Sequence, residues 1–265
     1  GRAEFGVGGD FVLNNGVTFT INTSGTVDIA NGSDFTLKPG STFNIGTTSS
    51  NGYDYWPILN IGNSNIFKVE NGALFSPTWK SYINNIGTGT FDTSELNNLT
   101  LATTYTTNYT ATTSFASNVL IPTYGIITHP ANGATKTYWL DLNFNNLTLN
   151  TNGKIDVTGK GYAAQKGPGG SLINGASYAG GGKDGSNVVY GSMLAPTDLG
   201  SGGRTLPGGG AIKLSIGGSL TVNTGGSITA SAGEPDTCNS VPAEGRGGGS
   251  GGSVWINFTN AGSFT

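Results

Sequence analysis

The hydrophobic residues in the first part of the chain recur at a fixed step of eight positions. Two rows follow this spacing, offset from each other by two residues: Phe11, Phe19, Val27, Phe35 and Phe43, and Leu13, Ile21, Ile29, Leu37 and Ile45. Each unit is apolar, polar, apolar, which is the period of a strand rather than of a helix. A step repeated this regularly predicts a repeat architecture built from short strands.

Glycine-containing dipeptides, among them Asn15-Gly16, Asn31-Gly32 and Pro39-Gly40, separate these units. Glycine adopts a positive φ without a Cβ clash, so each dipeptide is a predicted turn. In one architecture, three octads form a 24-residue coil, and coils stacked ~4.8 Å apart form a parallel β-helix. In the alternative, an antiparallel meander, each Asn-Gly pair is a hairpin turn. We favour an all-β fold, a right-handed parallel β-helix (β-solenoid) with glycine-rich loop inserts.

The pattern predicts three parts along the chain. Residues 1–87 carry the N-terminal β-solenoid repeats. Residues 88–138 are rich in threonine and form either strands or an elongated bridge, and we favour strands because Thr and Tyr prefer them. Residues 139–265 form a glycine-rich β-helical module, in which the apolar spacing returns around long glycine-rich stretches.

Composition and charge exclude several classes of partner. Only 10% of the residues are charged, the net charge is −3, and no basic stripe is present, so nucleic acid is not an expected partner. The single Cys238 and the single His129 rule out an internal disulfide framework and the common zinc sites, and both residues are expected to be incidental. No apolar run approaches the ~20 residues of a membrane helix. We therefore expect no cofactor, no metal and no membrane insertion.

The chain has few lysines and many Thr, Asn and Gly residues, a composition that favours an extracellular, cell-surface or virion-surface location. It opens at Gly1-Arg2, without an initiator Met, and stops within an apparent further repeat unit. We interpret it as a piece of a larger polypeptide. Neighbouring segments of that polypeptide, or further copies in an elongated homo-oligomer, would cover the exposed ends of a solenoid.

Several motifs in the second half occur in a fixed order. They are residues 153–162, 190–192, 195–203, 208–214 and 247–256. Together they resemble the glycine-rich β-helical repeat modules of very large, surface-exposed, adhesin-like proteins. The resemblance implies a role in structural display or adhesion, and it brings no catalytic residues with it.

The glycine-rich stretches also contain the acids that could form a catalytic pair. Many β-helix proteins that cleave polysaccharides use two carboxylates in a groove. The candidates here are Asp184, Asp198, Glu234, Asp236 and Glu244. Each lies among Gly and Pro, where a solvated or turn-capping carboxylate is the ordinary alternative. We predict no catalytic residues and no enzyme activity.

Aromatic residues are the better candidates for binding. Tyr53, Tyr55 and Trp56 lie in an interruption of the octad pattern, and Trp79 and Tyr82 follow about one 24-residue coil later. Stacked coils would place both clusters on one side as a platform for sugar rings or a partner protein. The alternative is an end cap or a subunit contact. Trp139 and Trp255 adjoin strand residues, as outward aromatics that pack on loops would.

Two functions therefore stay open at this point. The first is a structural or adhesive β-helical segment of an extracellular surface or virion fibre protein, with a cell-surface glycan or a partner protein as its target. The second is a polysaccharide-binding or polysaccharide-cleaving β-helix of the tailspike or lyase type. A groove with two acids within about 10 Å and aromatic walls would favour cleavage.

Overall fold

The computed structural model describes most of the chain. The described ranges are 2–5, 8–21, 25–45, 57–62, 66–70, 73–77, 82–85, 90–92, 98–100, 104–107, 113–182, 188–234, 247–260 and 263–264. Within them the fold is all-β, with strands and turns and no helix. The strands are β1 (Arg2–Phe5), β2 (Phe11–Leu13), β3 (Thr18–Ile21), β4 (Thr26–Ile29), β5 (Phe35–Leu37), β6 (Thr42–Ile45), β7 (Ile58–Ile61), β8 (Ile66–Val69), β9 (Leu74–Pro77), β10 (Tyr82–Asn85), β11 (Thr90–Asp92), β12 (Asn98–Thr100), β13 (Thr104–Thr107), β14 (Thr113–Ile121), β15 (Ile126–Thr128), β16 (Leu140–Leu149), β17 (Lys154–Asp156), β18 (Ala211–Ile216), β19 (Ser219–Val222), β20 (Ser227–Thr229), β21 (Ser253–Phe258) and β22 (Ser263–Phe264).

These strands form four sheets. Sheet A has the order β1-β4-β7-β10-β13-β15-β17-β20, sheet B has β11-β8-β5-β2, sheet C has β3-β6-β9, and sheet D has β12-β14-β16-β18-β21 with β19 and β22 beside it. Every pairing between the described strands is parallel. The antiparallel meander is therefore excluded for this part of the chain, and parallel sheets of this kind are compatible with a β-helix.

In the first half, the chain visits sheets A, B and C in turn and then returns to sheet A. Strands β4, β5, β6 and β7 make one such circuit. Aligned residues are 24 apart at Thr20 and Asn44, and 32 apart at Asp28 and Asn60, which is one octad more. The eight-residue spacing of the sequence thus becomes an alignment of like residues on neighbouring strands.

Alternate residues of these strands point into a continuous apolar interior. Two columns of rings run through it, and we name them the phenylalanine columns: Phe11–Phe35–Phe67 and Phe19–Phe43–Phe75. The rings of Phe35 and Phe67 stack with centroids 5.1 Å apart, and those of Phe43 and Phe75 with centroids 5.9 Å apart. Stacked rings add to the free energy gained from removing their apolar area from water.

Polar side chains align on the outside of the same strands. The Asn60 amide donates to the Asp28 carboxylate at 2.5 Å, and the Asn84 amide donates to Asn60 at 2.9 Å. Lys38 pairs with Glu70 at 2.5 Å in the same manner. The outer surface is therefore cross-linked from strand to strand by side chains of the same row.

The predicted turn dipeptides form corners between parallel strands. The amide of Val17 donates to the Asn14 carbonyl at 3.1 Å, and Gly16 has a φ of 76°. Gly40 has a φ of 77° and follows Pro39 in the same kind of turn. A positive φ at the third residue alone is typical of type II turns, whereas the common type I′ hairpin turn needs it at both central residues. This backbone geometry explains why the Asn-Gly pairs do not form hairpins.

The corner before sheet A differs from the expectation in its detail. Tyr124, Asn152 and Gly225 occupy this corner in three successive circuits, with φ values of 61°, 57° and 74°. The residue that adopts the left-handed conformation is therefore Asn152 rather than Gly153. Asparagine tolerates this region better than most residues, because its short polar side chain can hydrogen-bond locally.

The threonine-rich part of the chain forms strands in its described portion. Strand β13 (Thr104–Thr107) lies between β10 and β15 in sheet A, and β14 begins at Thr113. Sheet A therefore continues past residues 87 and 138. The boundaries of the three predicted parts stay a prediction.

Three long connections leave the sheets at one corner of the second half. Residues 129–139 join β15 to β16, residues 157–210 join β17 to β18, and residues 230–252 join β20 to β21. Each leaves after a strand of sheet A and returns at the start of a strand of sheet D. We call them the first, second and third excursions. Both glycine-rich inserts therefore depart from the same corner.

Candidate functional site

The predicted aromatic platform falls almost wholly outside the described residues. Tyr53, Tyr55, Trp56 and Trp79 lie outside the described ranges. Tyr82 begins β10, where it aligns with Ile58 of β7, and its side chain also lies outside the description. The platform stays a prediction.

Two of the five candidate acids lie in the described ranges. Glu234 is exposed in the third excursion, and Asp198 is half-exposed in the second. Asp198 lies 4.0 Å from the ammonium of Lys136, so its nearest described charged neighbour is a cation. Asp184, Asp236 and Glu244 lie outside the described ranges, and a carboxylate pair that includes any of them stays untested.

The three excursions pack on each other through their backbones. Ala163 of the second excursion donates to the carbonyl of Gly133 in the first at 3.0 Å, and Gly209 of the second donates to the carbonyl of Ser250 in the third at 2.9 Å. A Cβ on Gly161 or Gly209 would lie closer than 3.0 Å to backbone atoms of a neighbouring segment. Glycine is required here because the backbones approach more closely than any side chain permits. The inserts therefore form a hydrogen-bonded layer beside sheet D.

Hydrogen bonds from serine and tyrosine hydroxyls stabilise this layer. Tyr190 donates to the carbonyl of Leu199 at 2.5 Å and lies 2.7 Å from the hydroxyl of Ser201, which accepts from the amide of Gly169 at 2.9 Å. Burial raises the pKa of Tyr190. Ser253 at the start of β21 donates to the carbonyl of Asp198 at 2.8 Å. This last bond holds the second excursion against the edge of sheet D.

The first excursion is held by a fully satisfied amide and contains the buried histidine. Asn132 accepts from the amides of Thr137 and Tyr138, and donates to the carbonyls of Tyr138 and Lys160. His129 is fully buried, donates from Nδ1 to the Pro130 carbonyl at 2.7 Å, and has no partner for Nε2 within the described residues. Its burial lowers its pKa from 6.5 to about 4. His129 is therefore a neutral core residue.

Lys136 connects the first excursion to the second. Its ammonium donates to the carbonyl of Thr197 at 2.6 Å and lies 5.0 Å from the ring centroid of Trp139. Burial lowers the pKa of Lys136, and the neighbouring Asp198 carboxylate acts in the opposite direction. An ammonium between a carbonyl, a carboxylate and an indole face gains both hydrogen bonding and cation–π attraction.

A second Lys–Trp pair lies on the outer face of sheet D, next to this layer. Asp141 of β16, Lys213 of β18 and Trp255 of β21 are aligned across three neighbouring strands. The ammonium of Lys213 lies 3.1 Å from the Asp141 carboxylate and 5.6 Å from the ring centroid of Trp255. The three side chains alternate with inward-facing residues, so they share the outer face.

A parallel row of small polar side chains follows two residues further along the same strands. Asn143, Ser215 and Asn257 are aligned there, and Asn143 donates to Ser114 of β14 at 3.1 Å. Asn257 is exposed, whereas Asn143 and Ser215 are half-buried. The two rows together make a flat surface with one indole, one ion pair and several amide and hydroxyl groups.

The sequence signals this surface only strand by strand. Leu140-Asp141-Leu142, Ile212-Lys213-Leu214 and Val254-Trp255-Ile256 each place a polar or aromatic residue between two apolar ones. Alternation predicts that the middle residue points outward. The alignment of the three strands depends on the lengths of the second and third excursions, so the spacing alone does not bring the three residues together.

The described residues contain neither a metal-binding cluster nor a membrane-spanning helix. They hold no group of three or more His, Cys, Asp or Glu side chains that could bind a metal ion. The same ranges contain no helix long and apolar enough to cross a bilayer. The outer surface of sheet D presents hydrogen-bonding groups beside an aromatic ring.

Comparison with models of protein families, with curated proteins and with solved structures finds no match for this chain.

Proposed function

We propose that this chain is a right-handed parallel β-helical segment of an extracellular surface or virion fibre protein, with a non-catalytic role in display or attachment. The observation that carries the proposal is the alignment of like residues across parallel strands, such as Phe35 with Phe67 in the interior and Asp28 with Asn60 outside. Repeats of this kind extend along one direction by adding nearest-neighbour contacts. An extended shaft separates a binding surface from its point of anchorage.

The grouping of the three excursions supports the display role. They leave at one corner and are joined by backbone hydrogen bonds, for example from Ala163 to Gly133 at 3.0 Å and from Ala176 to Gly248 at 2.9 Å. A layer held in this manner loses little conformational entropy when a partner binds, because it is already ordered. We propose a cell-surface glycan or a partner protein as its target, and neighbouring segments or further copies as its structural partners.

Polysaccharide binding is the second candidate, and the surface around Trp255 favours it. An indole beside amide and hydroxyl groups suits the apolar face and the hydroxyls of a sugar ring. Cleavage is disfavoured at Asp198, because its ion-pair partner in the described residues is the ammonium of Lys136 at 4.0 Å rather than the second carboxylate that glycoside hydrolysis uses.

Antibodies raised against the purified chain test the display role on intact cells or particles of the source. We expect labelling without permeabilisation, and loss of that labelling after external protease treatment. Labelling that appears only after permeabilisation would contradict the proposal. A parallel assay for new reducing ends on a panel of polysaccharides separates binding from cleavage, and sustained release of reducing ends would favour the enzymatic alternative.

A further inference from the structure

The outer surface of sheet D brings together an indole ring, an ion pair and a row of hydrogen-bonding side chains. We name it the sheet D platform, formed by Asp141, Lys213 and Trp255 in one row and Asn143, Ser215 and Asn257 in the next. The second excursion borders it, because Ser253, two residues before Trp255, holds the carbonyl of Asp198 at 2.8 Å. An extended ligand that lies along the two rows would therefore also run beside this excursion.

The indole of Trp255 supplies the apolar contact of the platform. Its side chain is half-buried, and its pairing across the sheet is with Lys213, whose ammonium lies 5.6 Å from the ring centroid. The Lys213 contact limits the freedom of the indole before any ligand binds. An ordered aromatic ring presents a large contact area at little cost in conformational entropy, and such residues dominate binding energies.

The charges of the platform cancel locally. Lys213 pairs with Asp141 at 3.1 Å, and in the neighbouring excursions Lys136 lies 4.0 Å from Asp198. Each ammonium thus has a carboxylate beside it, and the surface presents no net charge to a ligand. Complementarity therefore favours an uncharged ligand over an acidic or a basic one.

The polar row supplies directional hydrogen bonds. Asn143 and Asn257 can each donate and accept through their amides, and Ser215 can do both through its hydroxyl. The row crosses three strands, which at the spacing of parallel strands is a length of ~10 Å. That length suits two or three pyranose rings, with hydroxyls facing the amides and one ring resting on the indole.

We infer that the sheet D platform binds an uncharged glycan chain, with Trp255 as the stacking residue and Asn143, Ser215 and Asn257 as hydrogen-bonding residues. This inference rests on the proposed attachment function and names the chemistry of its target. It adds a site that is separate from the aromatic residues predicted from the sequence.

Affinity electrophoresis tests the platform with soluble glucan, mannan and galactan as uncharged probes, and with polygalacturonate and alginate as acidic ones. We expect the chain to be retarded by at least one uncharged polymer, and to be retarded equally in 0.5 M salt, where the screening length is about 4 Å, because no ion pair with the ligand is involved. Trp255→Ala is expected to weaken this binding by about tenfold or more. Ser215→Arg, which places a long side chain in the middle of the row, is expected to abolish it.

Tyr124→Ala is the matched control, because Tyr124 is an exposed aromatic residue at a different corner of the molecule. It should bind the polymer as the parent chain does. Thermal unfolding shows whether each variant folds. If Trp255→Ala does not fold, the binding of Ser215→Arg, a substitution on the outer face of sheet D, tests the platform instead. No binding to any uncharged polymer, binding only to acidic ones, or unchanged binding in a folded Trp255→Ala or Ser215→Arg variant would overturn the inference. Surface labelling by antibody would stand in each of those cases, so the two failures are distinguishable.

Discussion

The apolar interior of the first half and the glycine-rich corner of the second half are packed by different contacts. In the first half, the phenylalanine columns and the aliphatic residues around them fill the interior, as at Phe43, which is fully buried. At the corner of the second half, the three excursions pack closely through their backbones, as at Gly203, where an added Cβ would meet the backbone of Gly247 and Gly248. The interior of the first half depends on buried apolar side chains, whereas this corner depends on glycines that carry no side chain.

This difference determines what each half tolerates. An apolar interior adapts to a change of shape at moderate cost if its total volume is kept. A layer of backbones in contact has no side chain to rearrange, so it cannot accept even one added carbon without moving a segment. The first half is therefore expected to tolerate volume-conserving apolar substitutions better than the glycine-rich corner tolerates an added Cβ.

The largest expected effect is at the phenylalanine columns. Phe67→Ala would remove a fully buried ring that stacks on Phe35 and leave a cavity between two neighbouring strands. We expect a loss of about 3–5 kcal/mol in the free energy of unfolding, measured by urea titration. The control is Ile66→Ala on the same strand, where the side chain is 41% exposed. An equal loss in the two variants would mean that the columns do not stabilise this half.

The octad pattern predicted the columns because burial alternates along each strand in the same way as polarity does. Phe11 and Phe35 therefore align one 24-residue coil apart, as expected, whereas Phe67 follows Phe35 by one octad more than such a coil. The sheet D platform could not be predicted from the sequence pattern. Asp141 and Lys213 are 72 residues apart, and they align only because the second excursion returns the chain to the strand beside β16. Packing of glycine on glycine, as at Gly209 and Gly252, likewise has no side-chain pattern from which to predict a partner.

Acidification should destabilise the corner of the second half before it destabilises the first half. The chain has a single histidine, His129, which is buried beside Val157 and Gly210 at the corner of the second half. Its pKa is lowered to about 4 in the folded chain, so the unfolded chain binds the proton more readily. Protonation of His129 therefore leaves the free energy of unfolding unchanged above pH 6.5, and it lowers that free energy by about 3 kcal/mol as the pH falls from 6.5 to about 4. Hydrogen exchange measured across this range should show the corner loosening first.

His129→Leu provides the control for that pH dependence. Carboxylates also titrate towards pH 4, so the informative quantity is the difference in slope between the parent chain and the variant. We expect the variant to lose the component between pH 6.5 and 4, whatever its stability at neutral pH. Identical slopes in the two proteins would show that His129 does not couple protonation to unfolding.

A smaller effect is expected at the glycine-rich corner. Gly209→Ala would place a Cβ against backbone atoms of Ala230 and Gly252 in the third excursion. We expect a loss of about 1–3 kcal/mol, because a segment must shift to make room. Gly180→Ala is the matched control, since an added Cβ meets nothing within 4 Å and the backbone conformation is ordinary. Thermal unfolding of both variants measures the difference, and equal unfolding temperatures would contradict the close-packed layer.

The smallest effect should come from the outer surface of the regular half. Lys38 and Glu70 form an ion pair at 2.5 Å, but the Lys38 side chain is 43% exposed, so water and salt screen the attraction. A double-mutant cycle with Lys38→Met and Glu70→Gln should give a coupling free energy of below about 1 kcal/mol, falling further in 0.5 M salt. Urea titration of the four proteins measures it. A coupling free energy as large as the loss in Phe67→Ala would contradict this expectation. It would mean that the outer polar rows, and not the phenylalanine columns, stabilise the first half.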